Sequence, residues 1–364
     1  LLMVDTASDV TGLDEWRFQS VELTRLFKKI TEGYGILNQS VSRRIYSGVK
    51  TGLNEVFIIN GELKQKLINE HPSSEAIIKP IFGGEDLRPW YQLENDSYLI
   101  WTYHGIKIEN YHAIENYLRK HKDALSKRSD VQNGQMEWYE LRPCDYYDKF
   151  DGTKIVWSDI SKLPRFSWNH GIYLNNTGFL IVDTNQTLLG LLQSRVAWFA
   201  ISQFAQPLRL RAGLWQYRVI PQFVERLPIP ELSAGQESDL AALAEEITAL
   251  ARGRYDLHEK MRGRISQDLG GGGRLNRALE EWWRLDSAGL QAQGKAAFGR
   301  NIPLSERDEW EKYLADQQAK HAAATAQIIE REIRLNAIVY AAFKLTPDEI
   351  GLIETATKYP YGAV

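Results

Sequence analysis

Short apolar runs separated by turn residues fill the chain up to about residue 232, and apolar residues three and four apart fill the rest. The first pattern predicts strands and the second helices. Ile155-Val156-Trp157, Gly171-Ile172-Tyr173-Leu174 and Phe179-Leu180-Ile181-Val182 are three predicted strands. Ile45-Tyr46, Val56-Phe57-Ile58-Ile59 and Leu99-Ile100-Trp101 are three more, and Ser47-Gly48 and Thr51 to Asn54 read as turns between them. Amphipathic helices interrupt this part at Val21 to Thr31, Tyr111 to Arg128 and Thr187 to Phe204, and a helical turn from Lys64 stops before His71-Pro72. Gly83-Gly84 forces a bend, with Arg88, Trp90 and Tyr91 just beyond it. Leu227-Pro228-Ile229-Pro230 closes the segment.

From Gly235 the period changes. Leu240, Leu243, Ile247, Leu250, Leu257 and Met261 form a coiled-coil-like seam over Asp239 to Gln267, interrupted where Arg254 takes a core position. Gly270 to Gly273 breaks it and reads as a flexible hairpin tip; no Gly-Lys-Ser/Thr follows, so it is no phosphate loop. Helix resumes from Arg274 to Leu290 and again from Pro303 to Phe343. Thr346 and Pro347 then suit the N-cap and N1 of a last helix. The expected fold is α+β: a mixed, largely antiparallel β domain over 21–232, followed by a helical bundle with long coiled-coil-like helices over 236–364. Residues 1–20 are polar and read as a linker from an upstream domain; the chain does not begin with Met, as a piece of a longer protein would not.

Composition narrows the function classes. No apolar run is long enough for a transmembrane helix, and the N-terminus lacks the basic and apolar regions of a signal peptide, so a cytoplasmic protein is expected. The single cysteine, Cys144, reads as a reduced thiol without a catalytic partner motif. Net charge is −3, which argues against a general polyanion binder, yet residues 151–232 hold 8 basic and 5 acidic side chains. Catalytic and metal motifs are missing. His104, His112 and His121 lack metal-ligand spacing, and no two prolines are adjacent, which excludes the Pro-Pro tetrapeptide that grips a flipped adenine. Phe82-Gly83-Gly84 lacks the third glycine of an S-adenosylmethionine loop. Glu62-Leu63-Lys64 lacks the companion aspartate of a nuclease site. No catalytic, cofactor or metal residue is therefore assigned in this chain.

What remains is a set of long polar and basic side chains at turns. Arg43, Arg44 and Lys50 cluster at one turn, where a ligand contact and a solvated hairpin end fit equally; Gly48 and Gly52 there would let a backbone approach closely. Lys162, Arg165, Trp168 and Asn169 share a second predicted loop, and Arg209, Arg211, Gln216 and Arg218 a third. Arginine paired with guanine, and asparagine or glutamine with adenine, are the usual base contacts, so these loops and Arg88 are the candidate double-stranded DNA-binding residues. Trp157 and Trp198 read as core.

Four segments in order resemble one family. Residues Arg44 to Phe57 resemble "G-I-K-T-G-x-N-x-A-F", and Lys79 to Arg88 resemble "P-x-L-x-G-x-D-I-x-R". Leu188 to Arg195 are similar to "L-L-G-I-L-N-S-K", and Glu225 to Pro230 to "x-x-L-P-I-P". These patterns belong to the TaqI-like C-terminal specificity (target recognition) domain of type IIG restriction–modification enzymes and related adenine-specific DNA methyltransferases. Ile333 to Ile350 also resembles their "L-V-Y-x-L-Y-G-L-T-x-E-E-I" tail, with Lys344 at the glycine position. The resemblance implies a module that selects the DNA sequence, while an upstream methyltransferase domain or subunit binds S-adenosylmethionine and methylates adenine. The alternative is a structural or assembly module that docks on such a methyltransferase without reading DNA.

Overall fold

The computed structural model describes residues 21–40, 45–182 and 184–363. They form two compact units: residues up to Ala242 together with Asn336–Tyr359, and Leu243–Leu335 with Pro360 onward. The fold is α+β, as the patterning predicts.

Three sheets organise the first unit. Gly178–Val182 lies between Ile45–Ser47 and Thr153–Ser158, and Ser167–His170 completes this antiparallel sheet beyond Thr153–Ser158. A second sheet runs Ile58–Asn60, Ser97–Ile100, Ile78–Phe82, Tyr173–Leu174, with only its last pair parallel. The third joins Pro207–Arg211, Leu214–Arg218 and Ile160–Ser161. Pro228–Ile229 pairs with Gly35–Ile36, so the Leu-Pro-Ile-Pro segment closes a short ladder. Between the first two sheets the core holds Phe57, Leu99, Phe150, Val156, Tyr173 and Leu180, with Phe150 stacked on Tyr173 at 5.2 Å. Trp157 and Trp198 are core as expected, and the Trp157 indole donates to the Val219 carbonyl at 2.7 Å.

Glycine matters here where backbones meet. A Cβ on Gly84 would stand 2.7 Å from the Thr177 carbonyl oxygen, and one on Gly48 would collide with that of Asn175. The freedom expected of Gly48 for a ligand is therefore spent against the chain's own backbone.

Several predicted elements end elsewhere. Val56 and Phe57 lie in a helical turn, Asn54–Phe57, and the strand starts only at Ile58. Both side chains are buried in that turn, where a half-exposed strand would bury only one of two neighbours. The helix predicted over Thr187 to Phe204 is two, Gln186–Gln193 and Arg195–Phe204. Ser194 is extended (ψ 157°) and caps the second by accepting from the Ala197 amide. Tyr111 to Arg128 likewise divides into His112–Arg119 and Lys122–Ser126. The last helix, Pro347–Thr357, has the expected Thr346 cap, closed into a capping box with Glu349.

The seam helix, Ala234–Arg264, belongs to the second unit from Leu243 on and passes into a π-helical turn, Ile265–Leu269. Arg254, the residue interrupting the seam, is buried and donates to the Thr325 hydroxyl at 2.8 Å and the Gly362 carbonyl at 3.0 Å. Gly271 and Gly272 have φ of 58° and 87°, and any Cβ on Gly270 or Gly273 would press on the Phe298 ring. The glycine run is thus a turn fitted around an aromatic side chain. The helix predicted from Arg274 breaks into Arg277–Glu280 and Ser287–Phe298, joined by the turn Trp282–Arg284, because Asp286 caps a new start. The long helix Arg307–Ala342 begins after a 3-10 turn and belongs to the second unit as far as Leu335.

Candidate nucleic-acid interface

The basic residues at 209–218, predicted as a loop, sit on a two-stranded hairpin. Ala212 and Gly213 form its two-residue turn, both at positive φ (50° and 77°), which matches the right-handed twist of the flanking strands. Alternation sorts the side chains into two faces. Arg209 lies opposite Gln216, and its Nε donates to the Gln216 Oε1 at 2.6 Å. Arg211 and Arg218 share that face, with the Arg218 guanidinium 3.8 Å from Asp159. On the other face Leu210 pairs with Trp215, and Tyr217 anchors the base of the hairpin edge-on against buried Trp198. Away from that anchor Leu210 and Trp215 meet solvent at 57% and 48% exposed, and Leu208, at the register shift before Arg209, is 47% exposed. The hairpin therefore presents a cationic face and an uncovered apolar one.

The strand Ile160–Ser161 ties this hairpin to the second predicted loop, since Tyr217 and Arg218 pair with Ser161 and Ile160. Lys162 follows at once, half-buried. Trp168 and Asn169, expected in a loop, belong to strand Ser167–His170, because they pair with Ile155 and Lys154. Asn169 donates to the Gln92 Oε1 at 2.9 Å, and the Gln92 amide nitrogen donates to the Ser167 hydroxyl at 2.6 Å. The segment before Gln92 folds against the same strand: the Trp90 amide donates to the Phe166 carbonyl at 3.0 Å. Trp90 is buried with φ at 74°, a conformation that costs a bulky residue about 1–2 kcal/mol.

This fold brings Arg88 beside Arg165. Arg88 Nη1 donates to the Glu85 and Leu87 carbonyls at 2.6 and 2.9 Å. Burial, and then the neighbouring Arg88 charge, lower the Arg165 pKa to about 10. The Arg165 Nε is shielded from solvent without a hydrogen-bond partner.

Of the remaining candidates, Lys50 is exposed beside the Gly48–Asn175 contact, and Arg43 and Arg44 lie outside the described residues. Gln92 and the exposed apolar trio were missed from sequence. The alternation in Pro-Leu-Arg-Leu-Arg and the Ala-Gly pair before Leu-Trp-Gln-Tyr-Arg were the available signals for the hairpin. Burial pushes the Cys144 thiol up, away from the reactive thiolate. Among the described residues no cluster of three metal-ligating side chains occurs, and no helix is long and apolar enough to cross a membrane.

Residues 233–339 match a family model described as Domain of unknown function (DUF8810). A type II methyltransferase, M.BanIII of Aneurinibacillus aneurinilyticus, is 22% identical over 216 residues, which cover 55% of this chain and 37% of the relative. The chain spans little more than a third of that relative. Among solved structures, the type IIL restriction–modification enzyme MmeI in complex with DNA aligns over 77% of this chain and 35% of its own, at 14% identity and a TM-score of 0.43. The type IIG restriction endonuclease BpuSI aligns over 83% and 33%, at 13% identity and 0.38.

Proposed function

We propose that this chain is the target-recognition part of a cytoplasmic restriction–modification adenine methyltransferase, of the TaqI-like specificity type, and that it reads double-stranded DNA. Methyl transfer and S-adenosylmethionine binding are assigned to a separate methyltransferase domain or subunit, since no motif for either occurs in this sequence. The observation that carries the reading is the hairpin 207–218: a two-stranded ribbon is narrow enough to enter the major groove, and this one sets Arg209, Arg211, Gln216 and Arg218 on one face. Arg209 and Gln216 hold each other in place, which orders both before any base is met.

Selection from a randomised duplex pool tests it. The chain should enrich one short sequence, and Arg211→Ala or Gln216→Ala should relax the preference at particular base pairs, by about 1–3 kcal/mol each. A pool returned without enrichment rejects sequence reading by this chain. The exposed apolar side chains Leu208, Leu210 and Trp215 favour a second reading, docking on the methyltransferase. Under that reading Trp215→Ser abolishes association with the methyltransferase, and the pool stays unenriched.

A further inference from the structure

The Arg88 guanidinium lies near enough for its charge to act on Arg165, and no carboxylate is among the groups that do so. Backbone hydrogen bonds tie the two segments together. The Arg88 amide is bonded to the Tyr91 carbonyl, the Trp90 amide to the Phe166 carbonyl, and Trp90 bridges to Ser167. Arg88 is pinned by two carbonyl oxygens, whereas Arg165 makes no hydrogen bond or ion pair among the described residues. Its Nε is wholly shielded, so only the outer guanidinium nitrogens remain for a ligand. A half-buried cation facing a second cation, satisfying nothing in the fold, lacks an anionic partner.

We propose that Arg88 and Arg165 clamp one backbone phosphate of the bound duplex and hold it without reading its sequence. The assignment rests on the DNA-binding reading above and sharpens it. A neutral base edge would accept hydrogen bonds from Arg165 but leave the two cations repelling one another. A phosphodiester supplies both the acceptors and the compensating charge. Arg165 follows the hairpin's partner strand Ile160–Ser161 by four residues, so the clamp would fix register beside the hairpin that reads bases.

Arg165→Met in the full chain tests this, with heat unfolding and duplex binding measured together and Arg211→Ala as the comparison. The variant should unfold at the same temperature as the wild type or higher, because an uncompensated charge is removed. Its affinity should fall about tenfold on selected and scrambled duplexes alike. The slope of log affinity against log salt should become shallower by about one. A lowered unfolding temperature would overturn the clamp in favour of a structural arginine. So would a loss confined to certain base pairs with the salt slope unchanged, which would make Arg165 a base reader. Unchanged binding in Arg165→Met alongside weakened binding in Arg211→Ala overturns the clamp and leaves the DNA reading intact. A wild-type chain that binds no duplex at low salt overturns the DNA reading itself, and the clamp with it.

Discussion

Lys344 ends the helix Arg307–Ala342 with φ at 51°, and the following Leu345 amide donates back to the Tyr340 carbonyl at 3.1 Å. That left-handed stop is one glycine adopts without strain, and the resembled tail carries glycine there. Lys344→Gly should therefore stabilise the chain by up to about 1 kcal/mol, read as a rise in denaturation midpoint with an unchanged denaturant slope. Arg128 is the opposite case. It is buried, with its pKa lowered to about 10, chiefly by burial. It donates to the carbonyls of Trp138, Glu140, Thr51 and Leu125 at 2.7, 2.8, 3.0 and 3.1 Å. Arg128→Ala strands these acceptors and should cost about 3 kcal/mol or more in chemical denaturation. From sequence, Arg128 reads only as the basic end of a helix. Its four carbonyl partners come from three separate segments, and no local pattern announces such a convergence.

At the scale of elements, the second unit contains an acid-sensitive junction between its helices. His258 and His321 face each other with Nε2 and Nδ1 2.9 Å apart, and Trp283 stacks on His258 at 4.1 Å. Burial first, then His321, Arg262 and Arg254, lower the His258 pKa to about 3; burial and Arg254 lower that of His321 to about 4. Both rings are neutral in the folded unit and titrate near 6.5 once unfolded. The unfolded chain thus binds more protons as pH falls below about 6.5. Stability is complete above that pH and declines toward about 4 for His321 and about 3 for His258, by up to about 1.4 kcal/mol per pH unit for each ring. Heat unfolding followed from pH 7.5 to about 4.5 should show this decline, and His258→Gln should flatten it. The seam that carries His258 was legible as apolar residues three and four apart, whereas His321 sits on the separate helix Arg307–Ala342. The breaks at Ser194 and at Asp286 were not, because each depends on a cap that competes with continuing the helix.

At the scale of the whole chain, the α+β class and the change of period near residue 235 follow from patterning, because core faces must repeat with their secondary structure. The candidate surface was only partly legible. Arg209, Arg211, Gln216 and Arg218 were grouped in sequence as one loop, but they lie on a ribbon whose arrangement depends on the turn Ala212–Gly213 and on pairing with Ile160–Ser161. The meeting of Arg88 with Arg165 spans 77 residues of chain and follows from Trp90 and Gln92 binding the strand Ser167–His170, a register no local rule supplies. Sequence-specific recognition of duplex DNA can be measured by equilibrium binding of the chain to a selected duplex and to its scrambled counterpart, followed from about 50 to about 200 mM salt. The prediction is a selected duplex bound well above the scrambled one at every salt concentration, with both log affinities falling linearly as log salt rises. Equal affinity for the two duplexes across the whole range would contradict it.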